Sequence, residues 1–321
     1  MNQPDSTGMI AQDESRRVIR VAGEESCDFL QSILTANVET LATGATMPAA
    51  LLTPQGRILA DMMILRTADG FLMDCDAARS DDLFTRLRRY RLRRPITLEI
   101  LTDHQVWLGW NGAIMPSAAA PDPRHPNLGW RWIRDGEEVP DINARTTDVG
   151  EWHALRIGAG IPQGPVDLQP ERALMLEAGL DRIGAVDFEK GCYIGQEVTA
   201  RTHYRGLVKR RIVPLAINGA LPDDGSDICD ADKVIAKVLS HTGTDDGALC
   251  LAAMKLSDIH RLSEDAATLT AGGHPARLAI PDWMLPLPAP SKTDGDQKGG
   301  GQKDGDQKDG DQKGGDQKTG D

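Results

Sequence analysis

Residues 190–197 read K-G-C-Y-I-G-Q-E, and the rest of the chain is best read outward from them. A core strand or helix has no use for a thiol flanked by two glycines, with a cation on one side and an amide–carboxylate pair on the other. Gly191 and Gly195 permit positive φ and close backbone approach on either side of Cys192 and Tyr193. Gly195 also suits the start of a helix over 196–203. Cys192 then precedes a helix N-terminus, where free N–H groups and the backbone dipole favour a thiolate, and Lys190 adds positive charge. A small buried cysteine in a turn meets the same spacing, because free cysteine is among the most buried residue types. The residues alone leave both readings open.

Away from this loop, short apolar runs alternate with turn residues. Residues 18–22 read as a strand and 24–34 as an amphipathic helix with Cys27, Leu30 and Leu34 on one face. Residues 49–53, 57–66 and 71–75 read as strands joined by P-Q-G and A-D-G turns. The second of these is apolar almost throughout, so Asp61 stands out, since a carboxylate is costly to bury without a partner. It is either a bulge residue facing solvent or a placed functional acid. Ser80 is expected to cap a helix over 80–92, with Asp81 and Asp82 in the first turn. Strands at 96–101, 105–110 and 129–133, a loop at 111–128 and a helix at 148–158 follow. This mixture predicts an α+β fold with mainly antiparallel sheets. Segments 212–217, 234–240, 248–255 and 276–280 predict a small C-terminal β-barrel.

The expected division is a flexible arm over 1–15, an α+β region of two subdomains over 16–206, the barrel over 207–285, and a Pro-rich linker with a G-D-Q-K tail over 286–321. Residues 292–321 contain no aliphatic or aromatic side chain and cannot offset the entropy of ordering.

The formal net charge of -12 argues against a protein that coats nucleic acid through a basic face. No apolar run has the length of a membrane span, and the polar N-terminus lacks the apolar stretch of a secretory signal. Cys27, Cys75, Cys192, Cys229 and Cys250 form no C-x-x-C pair and no zinc-type cluster with histidine. Neither a disulfide nor a stably bound metal is expected, which suits a cytoplasmic protein.

K-G-C-Y-I-G-Q-E, followed by Ala200-Arg201 and Tyr204-Arg205-Gly206, resembles the motif of YgfZ-type folate-binding proteins, relatives of the glycine-cleavage T-protein, an aminomethyltransferase. L-E-A-G-L at 176–180 resembles a T-protein segment whose glutamate recognises the pterin ring of folate. A carboxylate can accept the ring's adjacent N–H and amino hydrogens together, and Glu177 holds the matching position. T-P-Q-G-R-I-L-A-D at 53–61 is similar to a T-protein strand with an acidic pair near the transferred one-carbon group. Here the pair reads Ala60-Asp61, and the T-protein has no thiol where Cys192 stands.

The resemblance implies T-protein-like folate-binding domains followed by the barrel. It implies a tetrahydrofolate-binding protein that assists assembly or repair of iron–sulfur clusters in client enzymes, and through them supports tRNA modification. On this view Cys192 is the reactive thiol, and Glu177, Arg205, Gln196 and Glu197 contact folate. Lys190, Gly191, Tyr193, Gly195 and Arg201 shape the loop, which forms one wall of the folate pocket. The role given to Arg205, together with another member of the basic cluster Arg201, Arg205, Lys209, Arg210 and Arg211, is to meet the glutamate carboxylates of folate, for which a forked guanidinium is suited. Expected partners are folate and iron–sulfur client enzymes or assembly factors, with no membrane or nucleic acid, and the chain is expected to be a monomer. The alternative is a folate-dependent aminomethyl- or methyltransferase with Asp61 as the catalytic residue; whether the protein turns over a substrate is left open.

Overall fold

The computed structural model describes residues 8–136, 138–264 and 268–289, and the G-D-Q-K tail lies outside the described residues. The chain opens with β1 (Met9–Gln12), β2 (Arg16–Ala22), α1 (Ser26–Ile33), β3 (Thr46–Leu52), β4 (Ile58–Arg66), β5 (Gly70–Asp76), α2 (Ser80–Arg91) and β6 (Thr97–Leu101). Strands β2 to β6 form an antiparallel sheet in the order β3-β4-β5-β2-β6. Phe29, Leu30 and Ile33 of α1 and Leu83 and Leu87 of α2 are buried against one face, with Ile19, Ile64 and Met73 from the strands.

A second sheet follows from β7 (His104–Trp110), β8 (Ala120–Pro121), β9 (Trp130–Asp135) and β10 (Arg145–Thr146), in the order β10-β1-β7-β9-β8. Met9–Gln12 therefore pair with β7, although they fall within the stretch expected to be a flexible arm. Asp148 caps α3 (Val149–Gly158) by accepting from Gly150 N at 2.7 Å. The cap expected of Ser80 is absent, because Ser80 is already inside α2 and its hydroxyl donates to Ala77 O at 2.8 Å.

After α4 (Gly164–Asp167) and α5 (Gln196–Tyr204), the chain enters β11 (Arg210–Ile217), β12 (Asp227–Asp230), β13 (Lys233–Thr244), β14 (Gly247–Lys255), α6 (Leu256–Glu264), β15 (Leu269–Ala271) and β16 (His274–Leu278). The six strands close a barrel in the order β11-β14-β13-β12-β15-β16. Val18 and Leu52 of the first sheet, Leu108 of the second, Trp152 of α3, and Val213 and Leu251 of the barrel belong to one contiguous core.

Inside that core lies a chain of buried charges. Arg16 Nε donates to Asp74 Oδ1 at 2.6 Å, and Arg131 Nη1 donates to Asp74 Oδ2. Arg131 Nη2 continues to Asp122 Oδ2 at 3.2 Å, and Arg124 grips the same carboxylate through Nε and Nη2. Both Arg124 and Arg131 lie over the Trp152 ring, at 5.6 and 6.0 Å from its centre. The first sheet contributes Arg16 and Asp74, and the second contributes Arg131, so these ion pairs join the two sheets. Burial pushes the Asp122 carboxyl up, but Arg124 and Arg131 outweigh it and hold the group well below the usual carboxylate range.

Removing one partner of a buried pair costs about 3–5 kcal/mol, because the remaining charge stays buried. Asp74→Ala is expected to lower urea-unfolding stability by about that much, and a loss no larger than that of an exposed Asp→Ala control would show that the network is not holding the sheets. Since the Asp122 carboxyl is depressed in the folded state, its contribution is complete above the unfolded carboxylate pKa of about 4 and lost as pH falls below it. Urea midpoints measured across the acid range should decline from about pH 4 downward in the wild type, and less steeply in Asp122→Asn.

Candidate functional site

The loop that carries Cys192 is anchored from below. Asp187 Oδ1 accepts from the backbone N–H groups of Glu189 and Lys190 at 2.7 and 3.0 Å, setting the turn. Lys190 is buried, and its Nζ donates to Leu34 O at 2.7 Å and Ala36 O at 2.6 Å, just beyond the end of α1. The ammonium lies 5.3 Å from the centre of the Tyr193 ring. Burial, opposed by Asp187, lowers Lys190 to about 8. The cation expected to sit beside the thiol is instead committed to two backbone carbonyls, as an anchor.

Tyr193 turns into the core, where burial pushes its hydroxyl up to about 12. Cys192 is exposed, so the reading of its spacing as a small buried cysteine does not hold. Gly195 has φ 82°, and a Cβ there would lie 2.6 Å from Thr53 O and 2.9 Å from Leu52 Cβ. Gly191, by contrast, has no positive φ and faces open space, so only one of the two glycines is conformationally required. Gln196 Nε2 reaches back to Lys190 O and Gly191 O at 3.4 Å each. Glu197 and Arg201 are exposed on α5.

L-E-A-G-L takes a different role. Leu176, Ala178 and Leu180 are buried, while Glu177 is half-buried. Arg211 holds the segment to the barrel: its Nη1 donates to Leu176 O at 2.6 Å and Asp181 Oδ1 at 3.2 Å, and Ile212 N donates to Glu177 O at 3.0 Å. The start of β4 runs alongside, with Ile58 N donating to Ala173 O at 2.9 Å. A cavity of about 490 Å³ opens here, and Glu177 lines it together with Arg57, Arg172, Arg210 and Lys237.

None of Lys190–Glu197, Arg201 or Arg205 lines this cavity, so the loop is not a wall of the Glu177 pocket. Arg205 is exposed at the C-terminal end of α5. Of the cations that line the cavity with Glu177, Arg210 belongs to the same basic cluster as Arg205, and the others come from elsewhere. Arg57 lies inside the T-P-Q-G-R stretch, which was a legible signal; Arg172 belongs to no motif.

Asp61 stays in the β3–β4 ladder opposite Ala50, and the irregularity falls nearer the start of β4. Its side chain is half-buried, with both carboxylate oxygens 3.2 Å from Gly164 N. Of the two readings of Asp61, the bulge residue facing solvent does not hold, and the side chain lies outside the Glu177 cavity.

The GCVT N-terminal domain family matches residues 6–150, and the CAF17 C-terminal beta-barrel domain family matches residues 209–286. Human "Iron-sulfur cluster assembly factor IBA57, mitochondrial" is 31% identical over 308 residues, covering 84% of this chain and 83% of that protein. The mouse protein of the same name is 33% identical, covering 66% and 67%. The chain belongs to the IBA57 family. A Pyricularia oryzae IBA57 homolog is 35% identical, and the chain spans only 56% of its length. These IBA57 proteins are named as mitochondrial, which overturns the expectation of a cytoplasmic protein. The crystal structure of glycine cleavage system aminomethyltransferase T from Bartonella henselae superposes with a TM-score of 0.64 at 15% identity, covering 78% of this chain and 79% of that one. It shares the T-protein fold with this IBA57-family chain.

Two alanine substitutions separate the glycines. Gly195→Ala is expected to cost about 1–3 kcal/mol or more, from backbone strain and the clash with Thr53. Gly191→Ala should stay within about 0.5 kcal/mol of wild type. Thermal or urea unfolding of both variants measures the difference, and equal effects would contradict this assignment.

Proposed function

We propose that this chain binds tetrahydrofolate at Glu177 and uses the Cys192 thiol to assist assembly or repair of iron–sulfur clusters in client enzymes. Cys192 carries the reading. It is exposed on an anchored loop, whereas Cys75 and Cys250 are buried and Cys27 and Cys229 are half-buried. A thiolate is a soft ligand suited to iron–sulfur cargo and is also the nucleophilic form of cysteine. The names of the IBA57 relatives support the same role, and K-G-C-Y-I-G-Q-E keeps the resemblance to YgfZ-type proteins as the finer reading.

The residues fit a folate. The cavity volume lies in the range of small-molecule sites. Glu177 offers a carboxylate to the paired donors of the pterin, and Arg57, Arg172 and Arg210 offer cations to the anionic end of the ligand. When bound, tetrahydrofolate would supply one-carbon carrier chemistry; the chain's own part is to orient the ring and hold the tail. Arg205 is not needed for this.

Calorimetric titration with tetrahydrofolate should show binding to the wild type, a loss of about tenfold or more in Glu177→Ala, and undiminished binding in Cys192→Ala. Undiminished binding in Glu177→Ala would refute the pterin assignment. Brief iodoacetamide treatment of the native protein, read by peptide mass spectrometry, should alkylate Cys192 well before Cys75 or Cys250. Equal labelling of all three would remove the distinction on which the thiol assignment rests.

A further inference from the structure

The C-terminal end of α2 carries six arginines and no lysine between residues 86 and 94, and they divide by what they touch. Three have structural work. Arg86 Nε donates to Asp82 Oδ2 at 3.1 Å, Arg91 Nη1 donates to Ile96 O at 3.4 Å, and Arg94 Nη1 lies 3.8 Å from Glu25 Oε2. The side chains of Arg88, Arg89 and Arg93 are exposed and have no hydrogen bond or ion pair among the described residues. Cations near a helix C-terminus complement the backbone dipole, but only within the last turn, where Arg91 already serves. Arg88 and Arg89 project from the side of α2 opposite the buried Leu83 and Leu87.

Leu92 follows directly. It is 81% exposed, more than any other large apolar side chain among the described residues. Its φ is 54° at ψ -115°. Positive φ at a helix end ordinarily falls to glycine, which has no Cβ to strain. A leucine here strains the backbone and holds an apolar side chain in water, and neither stabilises the fold. We propose that Arg88, Arg89, Leu92 and Arg93 form a docking knob for an acidic protein partner. Leu92 enters an apolar socket, and the guanidinium groups pair with carboxylates around its rim.

An apolar centre within a polar rim is the usual anatomy of a protein interface, and arginine is enriched there. Its forked donors match a carboxylate two at a time. The charge of the whole chain narrows the choice of partner. At a formal net charge of -12, the surface as a whole repels acidic molecules. A compact protein touches the knob and stays clear of the rest, so the knob fixes its orientation as well. An extended polyanion, such as RNA or an anionic membrane, lies against acidic ground on either side. A stacking platform for bases is missing too, because Tyr90 is half-buried and packs on the core of the first sheet. The inference depends neither on folate nor on Cys192.

The test is fluorescence anisotropy of the full chain with two labelled synthetic peptides, an all-glutamate octapeptide and one whose two central glutamates are replaced by leucine. The leucine-containing peptide should bind the wild type more tightly, and both should weaken as salt rises. Replacing Arg88, Arg89 and Arg93 together by Ala should weaken both by about tenfold or more, whereas replacing the exposed Lys233, Lys255 and Arg277 together by Ala should not. Leu92→Gly should weaken the leucine-containing peptide alone, by about tenfold. It should also unfold at an equal or higher urea concentration than the wild type, since glycine relieves the strain, so lost binding cannot be put down to lost folding. Equal affinity for the two peptides, binding indifferent to the three arginines, or earlier unfolding of Leu92→Gly would overturn the proposal. So would tighter binding, through the same arginines, to a single-stranded RNA oligonucleotide or to phosphatidylcholine vesicles containing phosphatidylserine.

Discussion

Asp74 is gripped from both sides, by Arg16 on its own sheet and by Arg131 on the facing sheet, and the rest of the molecule is arranged around that contact. Burying charge is tolerated only when geometry and hydrogen bonding compensate for lost water. The compensation here extends through Asp122 and Arg124 to Gln163, whose Oε1 accepts from Arg124 Nη1 at 2.8 Å. Gln163 leads into a second buried contact. Asp167 accepts from Arg156 Nη1 at 2.8 Å and from Ser240 N at 2.9 Å, tying α3 and α4 to barrel strand β13. Polar contacts with fixed directions therefore join both sheets and the barrel, where an apolar core alone would leave their angles less defined.

Those joints determine where chemistry can occur. Arg211 fastens L-E-A-G-L to β11, so Glu177 faces a cavity between the 167–178 segment and the barrel. Lys190 fastens the thiol loop to the end of α1 instead. The Glu177 carboxylate and the exposed thiol thus belong to separate structural settings. In the proposed function, folate binding and cluster handling are separable, and the T-protein scaffold carries a thiol on a surface away from its folate cavity.

Much of the secondary structure was legible because it depends on local rules. Alternating or continuous apolar runs marked β2 to β7, β9, β11, β13 and β14, and Asp148 marked the start of α3. The short strands β1, β8, β10, β12 and β15 escaped detection, β8 falling within the expected loop over 111–128, because two to four residues carry little periodicity and are held by their neighbours. In the site, Glu177 was legible through its motif. Arg205 and another member of its basic run were assigned to the cavity; Arg210 at the start of β11 lines it and Arg205 at the end of α5 does not, because a helix end and a strand start point to different places. Arg172, which does line the cavity, had no local mark.

The sequence alone determined the α+β character and the C-terminal barrel, and it singled out K-G-C-Y-I-G-Q-E and L-E-A-G-L. Propensity, turn chemistry and motif spacing act over a few residues and can be read in order along the chain. Tertiary structure decided that Cys192 is exposed, that Lys190 is buried, that Gly195 and not Gly191 needs its missing side chain, and that the Gly164 N–H meets Asp61. Each of those outcomes depends on which distant backbone or carboxylate arrives opposite the residue, and long-range packing, not local sequence, sets that.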